Sequence, residues 1–159
     1  MNSTESRAWT GLIAVAELLP AALDAQLQRD AGLTHFEFIV LSVLRVAPDG
    51  QLQLSELAAG TNSTLPRLSH VLTRLERRDL VARKRSATDG RARNARLTPA
   101  GRRVLIRAMP EHVDTARRLV IDALTPAQLE ALGDIAHAIR GRLGGGADFG
   151  PDATGRSSP

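Results

Sequence analysis

Between residues 61 and 78 the sequence interleaves short hydroxyls with cations along one helical face. Ser63, Thr64, Ser69 and Thr73 supply the hydroxyls, while Arg67, His70, Arg74 and Arg77 supply the bases. Such a surface suits a polyanion. Small polar groups can approach base edges and phosphates, and a helix N-terminus favours a phosphate. Arginine holds guanine through two hydrogen bonds, a match worth about 1–3 kcal/mol of discrimination. Arg67 is the first candidate for base reading and His70 the second. Ser63, Thr64 and Ser69 suit phosphates or bases, and Arg74 and Arg77 suit backbone phosphates. Basic faces also occur on helices that meet only water, so this helix does not decide the matter by itself.

A second cationic feature follows. Residues 80–85 and 94–97 read as short strands around Thr88-Asp89-Gly90-Arg91, an Asp-Gly hairpin turn. Arg85, Arg91 and Arg93 surround that turn, with Arg83, Lys84 and Arg96 on the strands. A projecting arginine loop can enter a narrow A/T-rich minor groove. Asp89 either orients Arg91 through an ion pair or simply supplies turn chemistry, and the residues leave both readings open. The charge distribution agrees. Residues 63–107 hold thirteen basic residues against three acidic ones, whereas the remainder holds eight against fourteen. A concentrated positive field favours polyanions because each neutralised phosphate releases counterions.

The elements that must position these residues are mostly helices. Trp9, Leu12, Ile13, Ala16, Leu19, Leu23 and Leu27 recur at helical spacing over residues 7–31, with a kink or break expected at Pro20 and an end at Gly32. Thr34 and Glu37 form a capping box, and Leu33 and Phe38 occupy hydrophobic-staple positions. That helix buries Phe38, Leu41, Val43 and Leu44, and stops at Pro48-Asp49-Gly50. A short helix over 54–60 and a polar turn over 61–63 lead to the helix over 64–78, whose apolar stripe is Leu65, Leu68, Val71, Leu72 and Leu75. Thr98-Pro99 opens a helix to residue 123, kinked at Pro110. Thr125-Pro126 with Gln128 opens the last, which runs to 143 through Leu129, Leu132, Ile135, Ala136 and Ile139.

Helix, turn, helix, hairpin is the layout of a winged helix-turn-helix. The expected fold is mainly α with a small β-hairpin wing, as one domain over residues 1–143. Within it, a winged helix-turn-helix lobe spans 33–98 and a helical dimerisation region spans 7–31 and 98–143. The glycine-rich stretch over 144–159 reads as a disordered tail.

Several classes are disfavoured. The chain has no cysteine, which excludes disulfides, thiolate metal sites and a thiol-oxidation switch. Arg7 precedes an apolar stretch over 8–23, but Glu17 and Pro20 interrupt it, so an amphipathic helix is expected rather than a signal peptide. No run approaches a membrane span, no membrane partner is expected, and the cytoplasm is the expected compartment. His35, His70, His112 and His137 lie on separate helices without metal-ligand spacing, and no nucleotide-binding or nucleophile motif appears. No catalytic residue, metal or cofactor is therefore expected. Winged helices also bind proteins and RNA. Here the basic hairpin and the hydroxyl-rich helix favour double-stranded DNA.

These residues resemble the multiple-antibiotic-resistance regulator (MarR) family. The match lies in Asp89-Gly90-Arg91, then Leu97-Thr98 and Gly101, and upstream in Leu54-Ser55-Glu56-Leu57-Ala58 and Leu72-Thr73-Arg74-Leu75-Glu76-Arg77-Arg78-Asp79-Leu80-Val81. Asp79 stands where the family usually has glycine, at a position expected to need a left-handed backbone. The resemblance implies a homodimer in which the segments 7–31, 98–123 and 125–143 interlock. It implies two recognition helices on a pseudo-palindrome, a repressor role, and a small-molecule effector, often aromatic or phenolic. The effector crevice would lie between the dimer helices and the DNA-binding lobe. Trp9, His35 and His112 could line it, although a core or surface role is the expectation for each.

Overall fold

Threonines set four of the helix starts. The side chains of Thr34, Thr64, Thr98 and Thr125 accept from the backbone N–H three residues on, at Glu37, Arg67, Gly101 and Gln128. Each such cap is worth about 1 kcal/mol. The computed structural model describes residues 1–85 and 93–144, with the Arg85 side chain left out. In order the elements are α1 (Ser3–Ala31), α2 (His35–Val46), a 3₁₀ turn (Pro48–Gly50), β1 (Gln51–Gln53), α3 (Leu54–Gly60), α4 (Leu65–Arg77), β2 (Val81–Arg85), β3 (Arg93–Leu97), α5 (Pro99–Leu119) and α6 (Pro126–Arg142).

This is the mainly helical fold with a small antiparallel sheet that the sequence implied. Three details differ. α1 begins at Ser3, because Asn2 and Glu5 form a capping box ahead of the apolar pattern. α5 ends at Leu119, short of residue 123, with a 3₁₀ turn over Ile121–Ala123, while α1 and α5 both run on through Pro20 and Pro110. β1 was not anticipated: three residues, two of them glutamines, are too short and polar to show strand periodicity. It pairs antiparallel with β3, giving the order β1-β3-β2. In the β2–β3 ladder Val81 faces Leu97 and Arg85 faces Arg93. The turn expected at Thr88-Asp89-Gly90-Arg91 and the tail from residue 145 lie outside the described residues.

One core joins the helix-turn-helix to the sheet. Leu27 and Leu33 meet Phe38, Leu41 and Leu44 of α2, Leu57 of α3, Leu68, Leu72 and Leu75 of α4, and Leu105 of α5. Nine leucines are almost wholly buried, each contributing roughly 1.5–3 kcal/mol of burial. Leucine does the work because aromatics are only 3% of the chain.

The terminal helices behave otherwise. Among the described residues no side chain of α6 is buried, and Leu132, Ile135 and Ile139 of its apolar pattern face solvent. On α1 only Leu23, Gln26 and Leu27 are buried, while Trp9, Leu12, Ile13, Val15 and Leu18 are exposed. A single chain offers these faces nothing to pack against. The expectation about membrane spans is corrected here as well. α1 is long and apolar enough to cross a membrane, since its few charges do not interrupt the helix.

Candidate nucleic-acid interface

α4 is held on three sides, and what remains defines the surface it can offer. Leu68, Val71, Leu72 and Leu75 are buried beneath it. Leu65, expected in the same stripe, is instead 51% exposed. On one flank Arg83 of β2 donates through Nε and a terminal nitrogen to Glu76, at 3.0 and 2.6 Å, and through its backbone N–H at 3.1 Å. These bonds hold the Glu76 carboxyl below its ordinary range. Arg83 also donates to the Thr73 hydroxyl at 3.2 Å, and that hydroxyl donates to the Ser69 carbonyl at 3.0 Å.

The other flank meets α2. The Arg67 guanidinium lies over the Phe36 ring, 4.1 Å from its centroid. Glu37, 3% exposed, pairs with Arg74 at 3.2 Å and with Arg78 at 3.6 Å. Arg74 was expected on a phosphate and in the free chain is tied to this carboxylate. Sequence reasoning saw Glu37 only as a capping residue and assigned Phe36 nothing, since their partners lie some thirty to forty residues away.

Pro66, Arg67, His70 and Arg77 are exposed on α4, with Ser69 half-buried beside them. Ser63 and Thr64 precede the helix, and Thr64 is exposed while it caps. Arg93 of β3 is exposed and shares a groove with Leu65, Pro66, Ser69, Gln53 and Ser55. Seven expected contact residues from 63 to 77 therefore stand on or beside α4, and Arg93 joins them from the sheet. Arg74 stands with them but points to Glu37. Arg91, Asp89 and the Arg85 side chain lie outside the described residues.

A hydrogen bond ties the start of α5 to the turn that follows α4. Asp79, just past the helix, adopts φ +56°, the left-handed geometry expected of that position. Its carbonyl accepts from the Thr98 hydroxyl at 2.6 Å. The cap of α5 thus grips the turn that follows α4.

Behind this surface a crevice of about 480 Å³ opens between α1, α2 and α4, bounded by Pro20, Asp24, His35, Phe36, Ile39 and Arg67. His35 lies with its ring 5.9 Å from that of His112 on α5, and its backbone N–H donates to Asp24 at 2.9 Å. Burial lowers the pKa of both imidazoles, against the pull of Asp24 on His35 and with a push from His35 on His112. No group of three or more metal-ligating side chains occurs among the described residues.

Known proteins share this fold. A sequence profile described as MarR family matches residues 31–92. Sco3205, a MarR family transcriptional regulator from Streptomyces coelicolor solved in complex with DNA, is 40% identical, with 90% of this chain and 93% of that one aligned at a TM-score of 0.87. AbsC, another MarR family transcriptional regulator from the same organism, is 35% identical over 89% of this chain and 97% of its own, with a TM-score of 0.81. NadR, solved in complex with 4-hydroxyphenylacetate, is 26% identical over 82% of this chain and 89% of its own, with a TM-score of 0.64. Among proteins of curated function, none matches by sequence.

Proposed function

The chain belongs to the MarR family of transcriptional regulators, and from that premise we propose that it binds a pseudo-palindromic DNA operator as a homodimer and acts as a ligand-responsive repressor. One observation carries the reading. α4 buries Leu68, Val71, Leu72 and Leu75 and leaves Leu65, Pro66, Arg67, His70 and Arg77 exposed beside Arg93. A major groove about 12 Å wide admits such a helix. Leu65 in the groove suits a thymine methyl, and the exposed Arg93 of β3 suits a phosphate. In this reading Ser63, Thr64, Ser69, Thr73, His70 and Arg67 meet bases and nearby phosphates. Arg77, Arg85, Arg91 and Arg93 hold the backbone, Asp89 orients Arg91, and Arg74 joins only by leaving Glu37.

Dimerisation is supported by the bare apolar faces of α1, α5 and α6, which a second copy would cover. Two-fold symmetry would then set two α4 helices one DNA turn apart. The effector reading is supported by the crevice: Phe36 and Ile39 offer apolar contact, Arg67 offers a cation, and NadR is a relative that holds a phenolic acid. A ligand there would touch an arginine of α4 directly, so that differential binding shifts the lobe away from its DNA-competent spacing. With this role the protein works in the cytoplasm and performs no catalysis.

Titration of the purified protein against a duplex library, single-stranded DNA and RNA tests this. Selective retention of inverted-repeat duplexes, released by an aromatic carboxylate, is the expected result. A preference for RNA or single strands would overturn it.

A further inference from the structure

We propose that the first turn of α2 is a positioning clamp for α4, with Glu37 as its central residue, and that this clamp sets how sequence-selective the DNA surface is. The inference rests on the duplex-binding reading and goes beyond it, because Glu37 is buried and outside the surface that reading assigns to DNA.

The geometry is unusual for a capping residue. Glu37 is almost fully buried, and a buried carboxylate must be matched by donors or cations. One oxygen accepts from the Thr34 backbone N–H at 2.8 Å and lies 3.6 Å from Arg78; the other lies 3.2 Å from Arg74. Both arginines come from α4 or its end, four residues and one turn apart. Phe36, next to Glu37, supports the Arg67 guanidinium at 4.1 Å. Three cations along one flank of α4 are thereby fixed by two consecutive residues. Fixing them does two things. It sets the depth and rotation at which Arg67, His70 and Arg77 meet a groove. It also keeps Arg74 and Arg78 from seeking phosphates, contacts that add affinity for any sequence and information about none.

Glu37→Gln separates the clamp from the cap. Glutamine keeps an oxygen for the Thr34 N–H, and a capping box tolerates it. The charge that holds Arg74 and Arg78 disappears. Binding of full-length protein to its selected operator and to an unrelated duplex is measured across a salt series. Each freed arginine that reaches a phosphate adds about 0.9 to the salt slope. The expected result is a slope steeper by about 1–2, tighter binding to the unrelated duplex, and a specific-to-nonspecific ratio reduced about tenfold, the scale of one misplaced base contact. A merely structural role would lower the melting temperature and leave slope and ratio unchanged, and that outcome overturns the proposal.

Arg78→Gln, at a position 39% exposed on its side chain, serves if Glu37→Gln does not fold. It should lower the ratio without changing the slope. A slope reduced by about 1 would show Arg78 to be a phosphate contact and also overturn the clamp. A wild-type chain that selects no duplex would remove both readings. A selective wild type with an unaltered Glu37→Gln would remove this one alone.

Discussion

Gly101 shows how strictly single residues fix the wing. A β-carbon at that position would collide with the carbonyl of Leu80 and crowd Leu97, so the start of α5 can lie against the turn between α4 and β2 only with glycine there. Gly101→Ala should destabilise the fold by about 1–3 kcal/mol, the usual range for overpacking, read as a lower denaturation midpoint. An unchanged midpoint would mean that α5 can shift freely. Arg67 makes the matching case for recognition. It is exposed and supported on Phe36, as the proposed reading of one base per half-site requires. Arg67→Ala should relax sequence choice at one position per half-site, costing about 1–3 kcal/mol there, and selection from a randomised operator checks it. Thr98, Gly101 and the left-handed Asp79 were all legible as a pattern of residue types. Glu37 and Phe36 were not, because local spacing reveals a cap or an apolar position but never a partner on a distant helix.

At the scale of elements, α2 is the junction: its first turn faces α4 through Phe36 and Glu37, and α1 and α5 through His35. The His112 ring packs against Phe38 with centroids 4.2 Å apart, and its Nδ1 lies 3.3 Å from the Gln26 side chain. Burial lowers both histidine pKa values below 6.5, so the unfolded chain binds protons that the folded chain refuses. Stability from this pair is therefore complete above about pH 6.5 and falls as the pH drops from there toward the lowered folded values. Melting curves at pH 7.5 and 5.5 should show that loss, and His112→Gln should reduce it. An equal loss in the variant would place the acid sensitivity elsewhere. Element starts were readable because threonine caps and prolines act locally. β1 was not, since its pairing is supplied by β3 some forty residues later.

For the whole molecule, the sequence pattern predicted more apolar faces than one chain can bury, and the structure locates the surplus on α1, α5 and α6. Periodicity marks which face seeks cover but not whether the same chain provides it. A second copy would cover that surplus, although α1 alone also has the length and apolar character of a membrane span. Ile135→Asp on α6 should yield a folded monomer by sedimentation with operator affinity reduced at least tenfold, since both half-sites would no longer be held together. Wild-type size and affinity in that variant would exclude α6 from the interface. The most direct test of the whole account is selection of bound duplexes from a random library, with the protein-to-duplex ratio measured on the winners. Inverted half-sites with centres one DNA turn apart, occupied by two chains, are predicted. Enrichment of no sequence, or of a single half-site bound by one chain, would contradict it.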